Sequence, residues 1–177
     1  MNTISSTTPL RADCTAQAVW PTPLGPMLYA RTATGLAGMW FDAQKWHPAA
    51  FDAPTRQDDP LMREAADQMA AYFTGRLRQF DLPLDLRGTP FQQAVWRALL
   101  EIGSGTTATY ADIARGVGSV SAVRAVGAAV GRNPVSVVVP CHRVIGSDGS
   151  LTGYAGGLDR KQALLRLEGV LQQASLI

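Results

Sequence analysis

Cys141 and His142 stand side by side in Pro140-Cys141-His142-Arg143-Val144, directly after the apolar run 135–139. A free thiol with a pKa of about 8.5 is only a few per cent thiolate at neutral pH, so nucleophilic use demands a nearby base or cation. His142 and Arg143 offer both. A buried cysteine is more often an inert small hydrophobe, and the polar, basic company argues against that here. A third group follows in the last helical stretch, from Asp159 to Gly169. There Leu164, Leu167 and Leu171 set the apolar stripe, and Glu168 falls inside its arc. A carboxylate on a buried face must be paired, and the macrodipole disfavours it near a helix C-terminus. An imidazole would account for it. Cys141, His142 and Glu168 then form an activation chain in which the acid orients the imidazole, the imidazole takes a proton and the thiolate attacks. A solvated glutamate at a frayed helix end is the alternative.

The elements that must hold these groups can be read upstream. Thr89-Pro90-Phe91-Gln92 is a capping box with proline at N1, and Phe91, Val95, Ala98, Leu99 and Ile102 continue at helical spacing to Gly103. Thr109-Tyr110-Ala111-Asp112 is a second capping-box pattern opening a short helix. Gly116-Val117-Gly118-Ser119 breaks it, and a further helix is predicted from about Ser121 to Gly131. Short helix, tight glycine turn, second helix is the outline of a helix-turn-helix. On the second helix Val123, Val126 and Val130 form the inward stripe, while Arg124, Gly127, Ala128 and Gly131 share another face. One arginine among small residues suits close approach to a grooved surface, or equally a close helix–helix contact. The run 135–139 reads as a buried strand delivering Cys141.

The first part of the chain is organised differently. Residues 1–17 read as a flexible tail in which Cys14 is incidental. Residues 26–32 and 36–41 are β-rich runs joined by Ala33-Thr34-Gly35, a hairpin pattern. Residues 42–59 form a long loop. Asp59 as N-cap, Pro60 at N1, the apolar positions Met62, Ala65, Ala66, Met69, Tyr72 and Phe73, and Gly75 as stop signal a helix. Residues 79–86 look extended, and Gly88 closes this part. The expected division is a tail at 1–17, an α/β domain at 18–88 and a second domain at 89–177.

Composition narrows the function classes. With 177 residues, 46% apolar and 17% charged, the chain is an ordinary globule able to bury its own core. Two cysteines and two histidines provide no zinc-ligand spacing, so no metal is expected. No apolar run reaches the length of a membrane span. The first eighteen residues lack the basic start and apolar core of a signal peptide, which points to the cytoplasm. The net charge of +2 is uneven: residues 113–147 contain Arg115, Arg124, Arg132 and Arg143 and no acid. Fourteen of the sixteen basic residues are arginine, which forks onto phosphates and base edges better than lysine. A polyanionic partner is favoured.

Taken together, Thr89-Pro90-Phe91, Tyr110, Arg124, Asn133-Pro134, Pro140-Cys141-His142-Arg143-Val144, Gly156-Gly157 and Leu167-Glu168-Gly169 resemble the O6-alkylguanine-DNA alkyltransferases, of the stand-alone bacterial type. The likeness runs over nearly all of residues 89–169 and more loosely over the first half. It implies an α/β N-terminal domain around a small antiparallel sheet, ribonuclease H-like, and a mostly helical C-terminal domain with a helix-turn-helix. It also implies direct-reversal repair of double-stranded DNA, by irreversible transfer of an alkyl group from O6 of guanine, and O4 of thymine, to Cys141. No cofactor is implied, and the protein is expected to act as a monomer. By the same resemblance the second helix enters the minor groove with Gly127, Ala128 and Gly131 against it, and Arg124 fills the space of the extruded nucleotide. His142 deprotonates Cys141 through a bound water, and Glu168 fixes the imidazole. Tyr110 protonates the departing base, and Asn133 holds the turn. The carbonyls of Cys141 and Val144 read the exocyclic amine, and the N–H of Ala155 faces O6.

Two positions depart from the family pattern. Ile102-Gly103-Ser104-Gly105 replaces an Ile-Pro sequence, so a more mobile loop before Tyr110 is expected. Ala155 stands where many members carry serine, leaving only a backbone donor. Two other classes stay in view: an alkyltransferase-like protein that recognises damage without reacting, and a cysteine hydrolase that turns over. An acceptor cysteine argues against the first. An acid-free helix-turn-helix argues against the second.

Overall fold

The computed structural model describes residues 12–172. Three strands, β1 (Ala16–Trp20), β2 (Met27–Arg31) and β3 (Leu36–Phe41), form an antiparallel sheet in the order β1-β2-β3. The expected hairpin is β2-β3. β1 corrects the reading of residues 12–17 as tail; residues 1–11 lie outside the described part. Ala16-Gln17-Ala18 carries little β-propensity of its own, yet it pairs with β2 from Ala16↔Arg31 to Trp20↔Met27. Cys14 is buried beside it, in a small cluster with Ala30, Ala37, Trp40 and Phe51 that covers one face of the sheet.

The other face carries the main core. Between β2 and β3 the register slips at Ala30/Arg31. That extra residue on β3 lets Leu36 and Met39, an odd number of positions apart, both face the core. Helix α1 (Pro60–Phe73) packs there through Met62, Ala65, Met69 and Tyr72. Asp59 caps it by accepting from Met62 N–H, and Gly75 ends it at φ 73°. Residues 79–86 are mostly irregular; they bind the edge of β3 where Leu36 N–H donates to Pro83 O and Asp85 N–H to Leu36 O.

Helix α2 (Pro90–Leu100) opens with the expected capping box, Thr89 and Gln92 bonding reciprocally. Helix α3 (Tyr110–Gly116) repeats the device with Thr109 and Asp112, whose carboxyl is drawn down to about 2 by the Thr109 hydroxyl, the Thr109 N–H and Arg115. Helix α4 (Val123–Gly131) starts two residues later than expected, without a side-chain cap. α2, α3 and α4 pack on one another, and the Trp96 indole N–H donates to Ala129 O at 2.8 Å, fastening α4 to α2. A short parallel pair, β4 (Ala108–Thr109) with β5 (Val144–Ile145), and a final helix α5 (Leu158–Leu167) complete the chain. One hydrophobic core runs from the sheet through α1, α2, α3, α4 and α5.

Two details differ from the sequence reading. The run 135–139 is buried but is not a strand: Val139 N–H folds back to Val135 O, and Val137 sits at φ 74°. Periodicity cannot separate a buried strand from a buried turn of the same length. On α5 the buried stripe is Lys161, Leu164 and Leu165, while Leu167 is 36% exposed. Glu168 continues that stripe at the expected spacing.

Candidate active site

Three segments meet at Cys141. The first is the turn after α4, built by Asn133. Its side-chain oxygen accepts from Val135 N–H at 2.9 Å, and its amide nitrogen donates to Val139 O at 2.7 Å and to Cys141 Sγ at 3.0 Å. The turn is also sewn to the sheet, Met39 N–H donating to Pro134 O and Ser136 N–H to Met39 O. Asn133 thus ties the turn together and donates to the sulfur. Cys141 begins a single 3₁₀ turn (Cys141–Arg143) and is 4% exposed. Burial pushes its thiol up to about 11, against the downward pull of the Asn133 N–H and the Lys161 charge. The resting sulfur is a thiol, and its proton must leave to a neighbour rather than to solvent.

His142 is fully buried, and its Nε2 lies 2.9 Å from Glu168 Oε1. The same oxygen accepts from the Tyr72 hydroxyl at 2.7 Å and from Arg143 Nη2 at 2.8 Å. Oε2 accepts from Arg143 Nε at 2.9 Å. Burial alone would raise the Glu168 carboxyl, but the donors from His142, Arg143 and Tyr72 outweigh it and hold it well below the usual carboxylate range. An ionised carboxylate only accepts. Nε2 must therefore carry the proton, which leaves the lone pair on Nδ1. Nδ1 is buried with no protein partner among the described residues. Burial also lowers the imidazole's pKa in spite of Glu168, keeping the ring neutral and able to accept a proton.

Sequence reasoning missed three members of this cluster. Arg143 stands in the sequence as company for the thiol; its guanidinium instead forks onto Glu168 and donates to Ile102 O at 2.5 Å. Tyr72 has the spacing of a core residue, and nothing in that spacing marks the hydroxyl that reaches Glu168. Lys161 is fully buried, its ammonium donating to Val144 O at 2.5 Å and Thr152 O at 2.7 Å, and burial lowers its pKa to about 8. Its position three residues before Leu164 and seven before Glu168 was the available signal.

The loop 102–105 is fastened rather than loose. Arg143 holds Ile102 O, Thr106 holds Gly103 O, and Gly105 N–H approaches Glu168 Oε2 at 3.4 Å. Gly105 has φ 81°, and a Cβ there would press on Glu168 O at 3.2 Å. Glycine meets both demands.

The remaining candidates surround the sulfur. Tyr110 opens α3 with its hydroxyl directed at Thr152 O (3.1 Å) and Gly153 O (3.2 Å), its ring beside Gly127 of α4. Val144 is buried; its N–H donates to Cys141 O, and its own carbonyl holds Lys161. Ala155 is half-buried, and its carbonyl accepts from Lys45 N–H at 2.9 Å. On α4, Val126, Ala129 and Val130 face the core, and Val123 is 38% exposed rather than part of the inward stripe. Arg124 and Ala128 are exposed, Gly127 and Gly131 half-buried, and a Cβ on Gly131 would meet nothing within 4 Å. This face of α4 is open to an approaching surface. Among the described residues no helix is long and apolar enough to cross a membrane.

Comparison with known proteins gives a consistent result. Residues 17–86 match the ribonuclease-like domain of 6-O-methylguanine DNA methyltransferases, and residues 90–170 match their DNA-binding domain. A methylated-DNA–protein-cysteine methyltransferase from Methanosarcina acetivorans is 47% identical over 152 residues, which is 86% of this chain and 97% of that protein. Its counterpart from Mycobacterium bovis is 48% identical over 82% of this chain and 87% of that one. The crystal structure of Mycobacterium tuberculosis OGT in complex with DNA superposes with a TM-score of 0.80 at 45% identity, covering 86% of this chain and 92% of that chain.

Proposed function

Since the chain belongs to the 6-O-methylguanine DNA methyltransferase family, it is a DNA-repair transferase with a cysteine acceptor, and we propose that the acceptor is Cys141. The protein reverses alkylation damage directly, and double-stranded DNA is its partner. The observation that carries the assignment is the sulfur's position: buried, 3.0 Å from the Asn133 amide, and next in the chain to an imidazole whose free nitrogen is its basic one.

O6 of a guanine stacked in a duplex is out of reach of a buried thiol, so the nucleotide must be extruded. In this proposal the exposed face of α4, with Gly127, Ala128 and Gly131, lies in the minor groove and Arg124 takes the vacated space. His142 Nδ1 accepts the Cys141 proton through a water, Glu168 keeping the imidazole in the required tautomer. Sulfur attacks the alkyl carbon. The S–C bond forms as the C–O bond breaks, and its electron pair passes to the purine, which takes a proton from Tyr110. Arrival of the base replaces the carbonyl acceptors of the Tyr110 hydroxyl at 152 and 153. The carbonyls of Cys141 and Val144 each keep a second lone pair for the exocyclic amine, and the Ala155 N–H faces O6. A serine hydroxyl is missing at 155, which leaves that contact to the backbone alone.

The product is a thioether, which has no carbonyl for water to attack, so each molecule reacts once. O4-alkylthymine presents the same alkyl–oxygen bond and is a second substrate in this reading. We place the boundary between the two domains at Gly88 and the site of action in the cytoplasm. The test is intact mass after mixing with a duplex carrying O6-methylguanine. One methyl increment, mapped to Cys141 and absent in Cys141→Ala, is expected. Binding without an increment would leave a damage-recognition protein.

A further inference from the structure

Outside the cysteine cluster, the loop after β3 carries a tryptophan in an unusual state. Trp46 is 48% exposed and has φ 64°, a left-handed conformation that a bulky residue keeps only where its surroundings impose it. Those surroundings are built. Gln44, buried, accepts from Phe41 N–H at 2.8 Å and from the Ser136 hydroxyl at 3.2 Å. Lys45 N–H binds Ala155 O. The Arg132 guanidinium lies over the indole 4.2 Å from its centroid, and the Lys45 ammonium lies 5.2 Å away. Arg132 caps the C-terminus of α4 and directly precedes Asn133, the residue that touches the Cys141 sulfur. The first domain therefore holds a solvent-facing indole, with two cations on it, between the end of α4 and the loop bearing Ala155. Filling a gap in the core would have buried the ring.

We propose that Trp46, with Arg132 and Lys45, is a DNA platform contributed by the N-terminal domain: outside the space that Arg124 fills, the indole packs on the sugar and base edge of a nucleotide flanking the extruded one, and the two cations face the adjoining phosphates. Extrusion pulls the strand flanking the lesion out of its regular stack, and an aromatic face packs on the edge so exposed whatever the sequence. The surface is continuous with α4, and no acid occurs between residues 113 and 147 to oppose the phosphates. This inference rests on the repair reading above.

Transfer rates would be measured for wild type, Trp46→Ala, Trp46→Phe and Arg132→Gln, with an O6-methylguanine duplex below saturation and with free O6-methylguanine base. Trp46→Ala is expected to slow transfer from the duplex by between about fivefold and a hundredfold, with the free-base rate unchanged and Trp46→Phe recovering most of the loss. An uncharged indole displaces no counterion, so Trp46→Ala keeps the salt dependence, whereas Arg132→Gln flattens its logarithmic slope by about one. An unchanged duplex rate would overturn the proposal. So would a parallel fall with the free base, since that would make Trp46 a support for the pocket. Wild type transferring from neither substrate would remove the repair reading, and the platform with it.

Discussion

Glu168 receives five donors among the described residues: Tyr72, His142, Gly105 and two from Arg143. A carboxylate so surrounded cannot take the imidazole's proton; it holds the ring and polarises it. The consequence can be read in the pH dependence. Burial places the His142 pKa below its ordinary 6.5, so the base form persists at neutral pH. The transfer rate is expected to stay level from pH 8 to 6.5 and to fall only as the ring protonates below that. Tyr72→Phe removes one donor and leaves more negative charge on Oε1, which favours imidazolium. The acid limb should then move to higher pH, and stability should drop by about 1.5–3 kcal/mol, as for the loss of a hydrogen bond to a charged group. An unmoved limb in rapid-quench profiles would remove Tyr72 from the mechanism. Glu168→Ala strands a buried guanidinium and should cost about 3–5 kcal/mol in denaturant unfolding.

Elements were legible where a local signal fixes them. Both capping boxes and the Pro60 and Pro90 starts form as read, because each is decided within four residues. β1 and the turn at 135–139 depend on partners outside any short window: β2 for the strand, and for the turn Met39 of β3, which bonds Pro134 and Ser136. The same limit applies within the site. Cys141, His142 and Glu168 announce themselves by type and spacing, whereas Tyr72 joins them from ninety-six positions away. The open face of α4 gives a prediction at this scale. A Cβ on Gly131 meets nothing within 4 Å, so the melting temperature of Gly131→Leu should match wild type while its affinity for duplex DNA falls at least about tenfold, since the side chain would stand where the groove must come. Lost stability would show instead that α4 packs through this face.

In the whole molecule the two family domains share one core and one reactive centre. Backbone bonds from β3 carry the Asn133 turn, and Tyr72 of α1 completes the Glu168 cluster. The N-terminal part is therefore a working component of the site. Its chemistry ends in a thioether, which makes each molecule single-use. The direct measurement is a titration: a fixed amount of protein is incubated with a large excess of O6-methylguanine duplex, and repaired lesions are counted over time. A plateau at one lesion per protein molecule is expected. Continued repair beyond that plateau would mean the cysteine is regenerated, as in a hydrolase, and would contradict single use.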